Sequence, residues 1–426
     1  MFDIFLHSIT QELFPSVFKI MSVIFPIVMP FLLLYVFFVL RFRWIQMRFV
    51  ESQKTCLLEI KLPKEIAKSP AAMEIFFNCL SQSGAGGYAE AYLDGKTRPW
   101  FSCELVSTGG EVHFYIWCSQ SKFKNIVEAQ LYAQYPNVEI FEVSKDYTSF
   151  FDFDLKKYSM YALQYKLAKA DPFPIKTYID YGLDKDQKDE YKIDPMTAVL
   201  EYLGSLKSGE NAWIQIMVRK HEKEGSKHGK FFRPGKDLEA EIKKEIENVR
   251  KVTMQESSDG DAKIKFPNPT KGQMEVISAI ERSATKMPFD CMIRSVYIAD
   301  ATSFTPINIG GLVANFRQYN SNSLNGFKPV ITTDVSDKFK DFARIFPFLK
   351  RFIATEIYDL KKDLFHAYKL RSYFEWPYKN YESKPFVLTA EELATIFHFP
   401  SGMVSQTPTL KRVASKKSEA PANLPI

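Results

Sequence analysis

Apolar and polar positions fall along this chain in three regimes. The first is a run from Ile20 to Leu40, twenty-one residues without a charge, ending at Arg41, Arg43 and Arg48. A helix needs about 20 apolar residues to cross the hydrocarbon core of a bilayer, and a helix is the form in which a single span satisfies its own backbone. The run therefore predicts a transmembrane helix over 20–40. Arg41, Arg43, Trp44 and Arg48 form its membrane flank, and Tyr35 is a further interfacial candidate. The basic flank places the remaining 380 or so residues in the cytoplasm; Asp3 and Glu12 against a single Lys19 place the N-terminus outside. A cleaved signal peptide is a poor fit, because the start is acidic and the apolar run too long. Pro26 and Pro30 each remove a backbone donor and predict a kink. Within residues 1–19, Phe2, Ile4, Phe5, Ile9, Leu13 and Phe14 predict a short amphipathic segment on the outer surface.

The second regime alternates between strand and helix periods. Residues 55–145 read as a strand (TCLLEIKLP), a helix with Met73, Phe76, Phe77 and Leu80 on one face, and two strands joined at Thr108-Gly109-Gly110. A helix opened by Ser121 comes next, and then a strand, NVEIFEV. The order is β-α-β-β-α-β, the ferredoxin-like unit. The same order recurs over 155–335. A strand carries Tyr161, Leu163, Tyr165 and Leu167 on one side, and it leads to a helix capped by Asp194 with Pro195 at its first position. NAWIQIMVRK, FDCMIRSVYIAD and a stretch near KPVITTD supply the other strands, with TPINIGGLVANFRQYN as the second helix. A helical insertion over 220–286 interrupts this unit. Its charged helix bears a narrow stripe of Leu238, Ile242, Glu245, Ile246 and Val249, the pattern of a solvated helix leaning on a neighbour. The fold class is α+β: a transmembrane helix, two tandem ferredoxin-like units and a C-terminal helical segment.

Composition changes the picture little. A net charge of +6 over 426 residues permits contact with nucleic acid without implying it. A 15% aromatic content with abundant Phe and Lys and few Gly has the look of an AT-rich bacterial genome. Five cysteines without a CxxC pair predict free thiols in a reducing compartment.

Searches for chemistry return little. GxxxxGK[ST] is absent; the nearest approach, Gly225 to Lys230, is one residue short and lacks a strand–loop–helix context. Gly84, Gly86 and Gly87 lack the strand and acidic residue that a dinucleotide site requires. The six histidines show no ligand spacing, and GxSxG is missing. The lysine-rich loop 220–230 has the charge to meet phosphate or anionic lipid. No catalytic residue, metal ligand or cofactor is expected, and the chain reads as a non-enzyme.

The third regime is the C-terminal segment, 336–400, whose terminal helix is expected over 389–399. Thr389 and Glu392 form a capping box, and Pro400 and Gly402 stop the helix. Glu391-Glu392-Leu393-Ala394, then Phe397-His398-Phe399-Pro400, then a basic stretch and Pro421-Ala422-Asn423-Leu424-Pro425 stand in order. With Asp194–Ile216 and Tyr135–Ile140, this arrangement resembles the membrane-anchored N-terminal region of HerA-like and TraG/TraD-like ATPases of conjugation and type IV secretion. The resemblance spans about residues 15–425. In that family the nucleotide-binding core would begin where this sequence stops at Ile426, so no Walker residue carries over.

The resemblance implies a non-catalytic, single-pass scaffold in a cell (inner, cytoplasmic) membrane. It would dock a separately encoded HerA-like ATPase, with Glu391, Glu392, Leu393, Ile396, Phe397, His398, Phe399 and Pro400 as docking residues and 401–426 as a polar linker. The six-fold symmetry of such motors makes a homo-oligomer an expectation too. A membrane-tethered enzyme with an unrecognised site and a membrane-tethered nucleic-acid binder are the alternatives.

Overall fold

The computed structural model describes residues 14–63, 68–81, 86–185, 193–222, 237–252, 254–256, 265–267, 269–333, 349–379, 381 and 383–400. The first expected segment, 1–19, lies mostly outside these residues, as do most of the lysine-rich loop and all of the 401–426 linker.

Helix α1 runs from Phe14 to Ser52 without a break at Pro26 or Pro30. It exceeds the predicted span at both ends. The portion from Ile24 onward is long and apolar enough to cross a membrane, and none of its most apolar stretch is buried among the described residues. Thirty-nine residues reach about 58 Å at 1.5 Å each, nearly twice the ~30 Å of a hydrocarbon core. The part past Leu40 packs on the rest of the protein. Gln46 is buried, and Phe42 packs on Tyr92 with the ring centroids 5.0 Å apart. Tyr92 belongs to α3 (Tyr88–Leu93), a short helix that the glycine-rich sequence around it conceals. Gly95 lies just beyond, in a left-handed conformation (φ +69°); a Cβ there would lie 2.5 Å from the Ile45 carbonyl oxygen. Only glycine allows α1 to approach so closely.

The strands β1 (Cys56–Lys61), β2 (Phe101–Thr108), β3 (Glu111–Cys118), β4 (Glu139–Glu142), β5 (Tyr158–Leu167), β6 (Glu210–Lys220), β9 (Pro288–Asp300), β10 (Phe327–Thr332) and β11 (Phe386–Thr389) form one antiparallel sheet. Its order is β10-β5-β9-β6-β2-β3-β1-β4, with β11 pairing the start of β9. The strands of the two expected units are thus joined in a single sheet. The join is the β2–β6 pair, in register from Phe101↔Val218 to Thr108↔Asn211. Two turns interlock there: the Gly109 amide donates to the Glu210 carbonyl at 2.8 Å, and a Cβ on Gly110 (φ +89°) would meet the Leu206 carbonyl oxygen at 2.5 Å. Both free edges are blunted. β4 is four residues long with a glutamate at each end, and β10 carries Pro329 and a register shift.

One face of the sheet is covered by α2 (Ala71–Leu80), α4 (Lys124–Gln134), α5 (Pro195–Gly204), α8 (Ile307–Ala314) and α10 (Ala390–Ile396). Its core is continuous and almost wholly apolar, from Leu58, Phe114 and Ile116 through Ile214, Ile216 and Ile293 to Leu163 and Tyr165. Asp194 caps α5 as its sequence predicts, accepting from the Met196 amide at 2.8 Å.

The opposite face is covered by α9 (Leu349–Lys369) and the segments around 147–158 and 370–381. This 21-residue helix occupies a region whose expected helix lay at 389–399. That terminal helix is shorter, Ala390–Ile396, and is preceded by β11. The insertion holds α6 (Leu238–Val252), a small β7–β8 ribbon (Met254–Glu256 with Lys265–Pro267) and α7 (Lys271–Ala284). It leaves and re-enters at β6 and β9, at the end of the sheet where Arg98, just past Gly95, donates to the Lys220 carbonyl. The expected stripe on α6 is half-buried, and α6 leans on α7, with Arg250 near Glu281 at 3.7 Å. All five cysteines are free thiols, four of them buried.

Candidate functional site

Residues of neighbouring strands align across the second face in layers. In a central layer, register brings Glu104, Gln215, Arg294 and Gln164 into one row across four strands. Alternation along each strand marks these positions as a solvent face, yet Glu104 and Gln215 have no exposed surface and Arg294 only 1%. The row is held by mutual bonding. The Gln215 amide donates to Glu104 at 2.9 Å, and Arg294 Nε donates to Gln215 Oε1 at 2.5 Å. Arg294 Nη2 donates to the Ala367 carbonyl at the end of α9, at 2.8 Å.

Arg371 closes the row from above. Its Nε and Nη2 donate to the two Glu104 oxygens, each at 3.0 Å, a bidentate pair. Glu104 also accepts from Tyr147 and Ser102, both at 2.8 Å. A third Arg371 nitrogen contacts Asp146. Arg371 ends α9 in a left-handed conformation (φ 46°). Its amide bonds the Tyr368 carbonyl and the Ser372 amide bonds the Ala367 carbonyl, both at 3.0 Å, the Schellman pattern whose left-handed position usually holds glycine. An arginine at this position spends backbone energy to place a charge on Glu104. Burial alone would depress the Arg371 guanidinium, but Glu104, then Tyr147 and Asp146, hold it well above the ordinary arginine value. Burial pushes Arg294 down to about 9, against the pull of Tyr368 and Glu104.

Toward the α1 end, beyond a Ser102–Met217–Met292 layer, lies an ionic cluster. Arg219 Nε donates to Asp290 at 3.0 Å and Nη1 to Glu375 at 3.2 Å. His221 Nδ1 lies 2.6 Å from the other Asp290 oxygen, and Arg98 stands 3.5 Å away. Burial alone would raise the Asp290 carboxyl, but His221, Arg219 and Arg98 bring it down to about 2. Trp376, next to Glu375, receives Arg43 of α1 on its ring at 4.8 Å.

Toward the other end, an aromatic layer of Trp213, Tyr147 and Phe151 gives way to an open cleft of about 430 Å³. It is lined by Thr108, Gly109, Phe150, Phe151, Tyr158, Ser208, Gly209, Asn211 and Asp300. Asn211, 5% exposed, has no hydrogen-bond partner on its Oδ1 among the described residues. Among the described residues no group of three or more His, Cys, Asp or Glu side chains is placed to hold a metal.

The eight expected docking residues lie together, but they are turned inward. Glu391 receives the Thr177 hydroxyl at 2.8 Å and Arg282 at 3.2 Å. Glu392 accepts from the amides of Ile175 at 2.9 Å and Thr389 at 2.8 Å; burial pushes its carboxyl up to about 7 despite these bonds. Leu393 and Ile396 are buried in the apolar core. Phe397 and Phe399 pack on Phe114 at 6.0 and 5.4 Å, and Pro400 is buried. His398 Nδ1 lies 2.8 Å from the Ala394 carbonyl, and Nε2 lies 3.0 Å from Asp194. Within the chain these side chains are buried, and they clamp α10 to α2 and α5. The four residues of the expected membrane flank, Arg41, Arg43, Trp44 and Arg48, are exposed, with Arg48 over the Trp44 ring at 4.9 Å. Nothing in the strand sequences marked Glu104, Gln215 and Arg294 as a set, since only the register aligns them. Arg371 carried no sequence signal at all.

Fold and site together define an α+β protein with one broad antiparallel sheet, covered on both faces, behind an N-terminal helix long enough to span a membrane. The chain belongs to the family described as Domain of unknown function (DUF8128), whose model matches residues 51–412. A comparison with curated proteins gave no match.

Proposed function

We propose that the chain is a non-catalytic, single-pass membrane scaffold of a type IV secretion- or conjugation-like translocation system, holding a separately encoded HerA-like ATPase at the membrane. In this reading α1 crosses the inner membrane with its N-terminus outside, in keeping with the arginines past Leu40, and the sheet lies in the cytoplasm. The orders β4-β1-β3-β2 and β10-β5-β9-β6 support reading the two halves as ferredoxin-like units fused edge to edge.

The observation that carries the proposal is the junction of α1 with the sheet. Phe42, Arg43, Ile45 and Gln46 fasten the helix to α3, Gly95 and Trp376, so the anchor is a stalk of the domain and not a loose tether. A scaffold bearing load from a motor requires such a junction. With Glu391–Pro400 turned inward, those residues root the next segment, and the basic, proline-containing stretch 401–426 is the part that would reach the motor.

Affinity purification of the full chain from its own membranes, after photo-crosslinking from positions within 401–426, tests this. A Walker-containing ATPase in the crosslinked band, lost when 401–426 is deleted, is the expected result. Recovery of the chain without any ATPase would contradict it.

A further inference from the structure

We propose that α3 is a second membrane contact, with Tyr88, Ala89 and Leu93 seated in the lipid headgroup layer where α1 leaves the bilayer. The proposal rests on α1 crossing the membrane and adds what the domain itself does there. The apolar run ends at Leu40. Phe42, which packs on Tyr92 of α3, stands about 3 Å further along the helix axis. A headgroup layer is roughly 5–7 Å deep on each side of the hydrocarbon, so packing on Phe42 holds α3 at headgroup depth. Gly95, pressed against the Ile45 backbone, ties the chain just after α3 to the same stretch of α1.

The face that α3 exposes is apolar. At about 100° per residue, Tyr88, Ala89 and Leu93 fall on one arc of about 140°. All three are exposed, Tyr88 at 53% and Leu93 at 71%. Leu93 is as exposed as Phe31 in the middle of the apolar run, whereas Ala91, outside the arc, is buried. A single exposed leucine is ordinary on a soluble surface; an apolar arc held at the depth where lipid begins is not. Glu90 falls beyond the arc, and its carboxylate accepts from the Gly87 amide at 2.8 Å and from Lys96 at 3.0 Å.

Position and charge select lipid over protein as the occupant. A protein seated on this arc would have to displace headgroups from around α1, whereas lipid is already there. The exposed Arg41 and Arg43 stand about 1.5 and 4.5 Å past Leu40, at the level of lipid phosphates, which basic side chains beside a span attract. The exposed Trp44 follows at about 6 Å, and tryptophan and tyrosine are the residues enriched at this boundary. Apolar side chains of a helix lying in the interface enter the boundary between headgroups and acyl chains. With α1 and α3 both engaged, the sheet is held at one tilt to the bilayer.

Photo-crosslinking of the full chain in nanodiscs of phosphatidylglycerol and phosphatidylethanolamine tests the contact. The probe is p-benzoylphenylalanine, placed singly at Leu93, at Phe31 in the span, and at Phe150, an exposed ring at the opposite end of the second face. Mass spectrometry should find phospholipid adducts at Leu93 and Phe31 and none at Phe150. Ala89→Glu, which puts a negative charge into the arc at an exposed position, should abolish the adduct at Leu93 and leave both the adduct at Phe31 and the melting temperature unchanged. An adduct at Phe31 without one at Leu93 would overturn the proposal and leave the span standing; absence at both would overturn the two together. A crosslink between two copies of the chain at Leu93, a lipid adduct at Phe150 equal to that at Leu93, or an adduct at Leu93 that survives Ala89→Glu would each overturn it as well.

Discussion

The two faces of the central sheet solve burial in opposite ways. On the first, strands offer Leu, Ile, Val and Phe to five helices, and the contact is mostly apolar. On the second, apolar layers alternate with polar ones, and the polar rows are tolerable only because partners arrive from elsewhere in the chain. Glu104 is satisfied by Arg371, 267 positions away. The first face is held by area and the second by specific pairing, in which Arg294 Nη1 and Gln164 Nε2 still find no partner among the described residues. A face of the second kind specifies which segment covers it, since another helix would leave Glu104 and Arg294 buried and unpaired.

Breaking that pairing should give the largest effect. Glu104→Gln or Arg371→Met strands a buried charge and is expected to cost about 3–5 kcal/mol in denaturant unfolding. The double substitution Glu104→Met with Arg371→Met should recover most of the loss, because neither charge is then stranded. A double variant as unstable as the sum of the two singles would show that the pair is not coupled.

The first face offers the matching comparison. Leu163→Ala should cost about 3 kcal/mol through lost contact and a cavity, and no second substitution across the sheet should restore it.

Acid separates the faces further. Asp290 has its carboxyl depressed to about 2 in the folded protein, so its contribution is full above the unfolded value near 3.9 and is lost as pH falls toward 2. About 2 kcal/mol should disappear between pH 4 and pH 2 on this account. The stability gap between the native chain and Asp290→Asn should narrow over the same window, read by urea titrations at stepped pH. A gap that stays constant across it would remove Asp290 from the acid response.

The smallest effect belongs to the first-face clamp. Thr389→Ala removes the cap of α10, whose hydroxyl accepts from the Glu392 amide at 3.4 Å. A loss of about 1 kcal/mol is expected in thermal unfolding.

The same contrast explains what was legible. Face-one positions announce themselves by period: Tyr161, Leu163, Tyr165 and Leu167 at every second residue, and Met73, Phe76, Phe77 and Leu80 on one helix face, all fall in the first-face core. The apolar run at Ile20–Leu40 was legible for the same reason. On the second face alternation misleads, because Glu104, Gln215 and Arg294 have the pattern of solvated positions. Only the cover that buries them changes their meaning, and α9 was hidden by its many charges. Its stripe of Leu360, Leu364, Phe365 and Tyr368 was present in the sequence, at helical spacing. The run Glu391–Pro400 had a surface reading because two adjacent glutamates ordinarily face water. Their partners, Arg282, Thr177 and Ile175, come from the insertion and a loop that no local pattern connects to them.

Hydrogen exchange read by mass spectrometry on the full chain tests most directly whether the C-terminal third is an integral cover of the second face. Amides of 364–374 should be protected as strongly as those of β6, and in Glu104→Gln they should lose protection before the first-face helices do. Rapid exchange of 364–374 in the native chain, with β2, β6 and β9 still protected, would show a detachable arm and contradict the account.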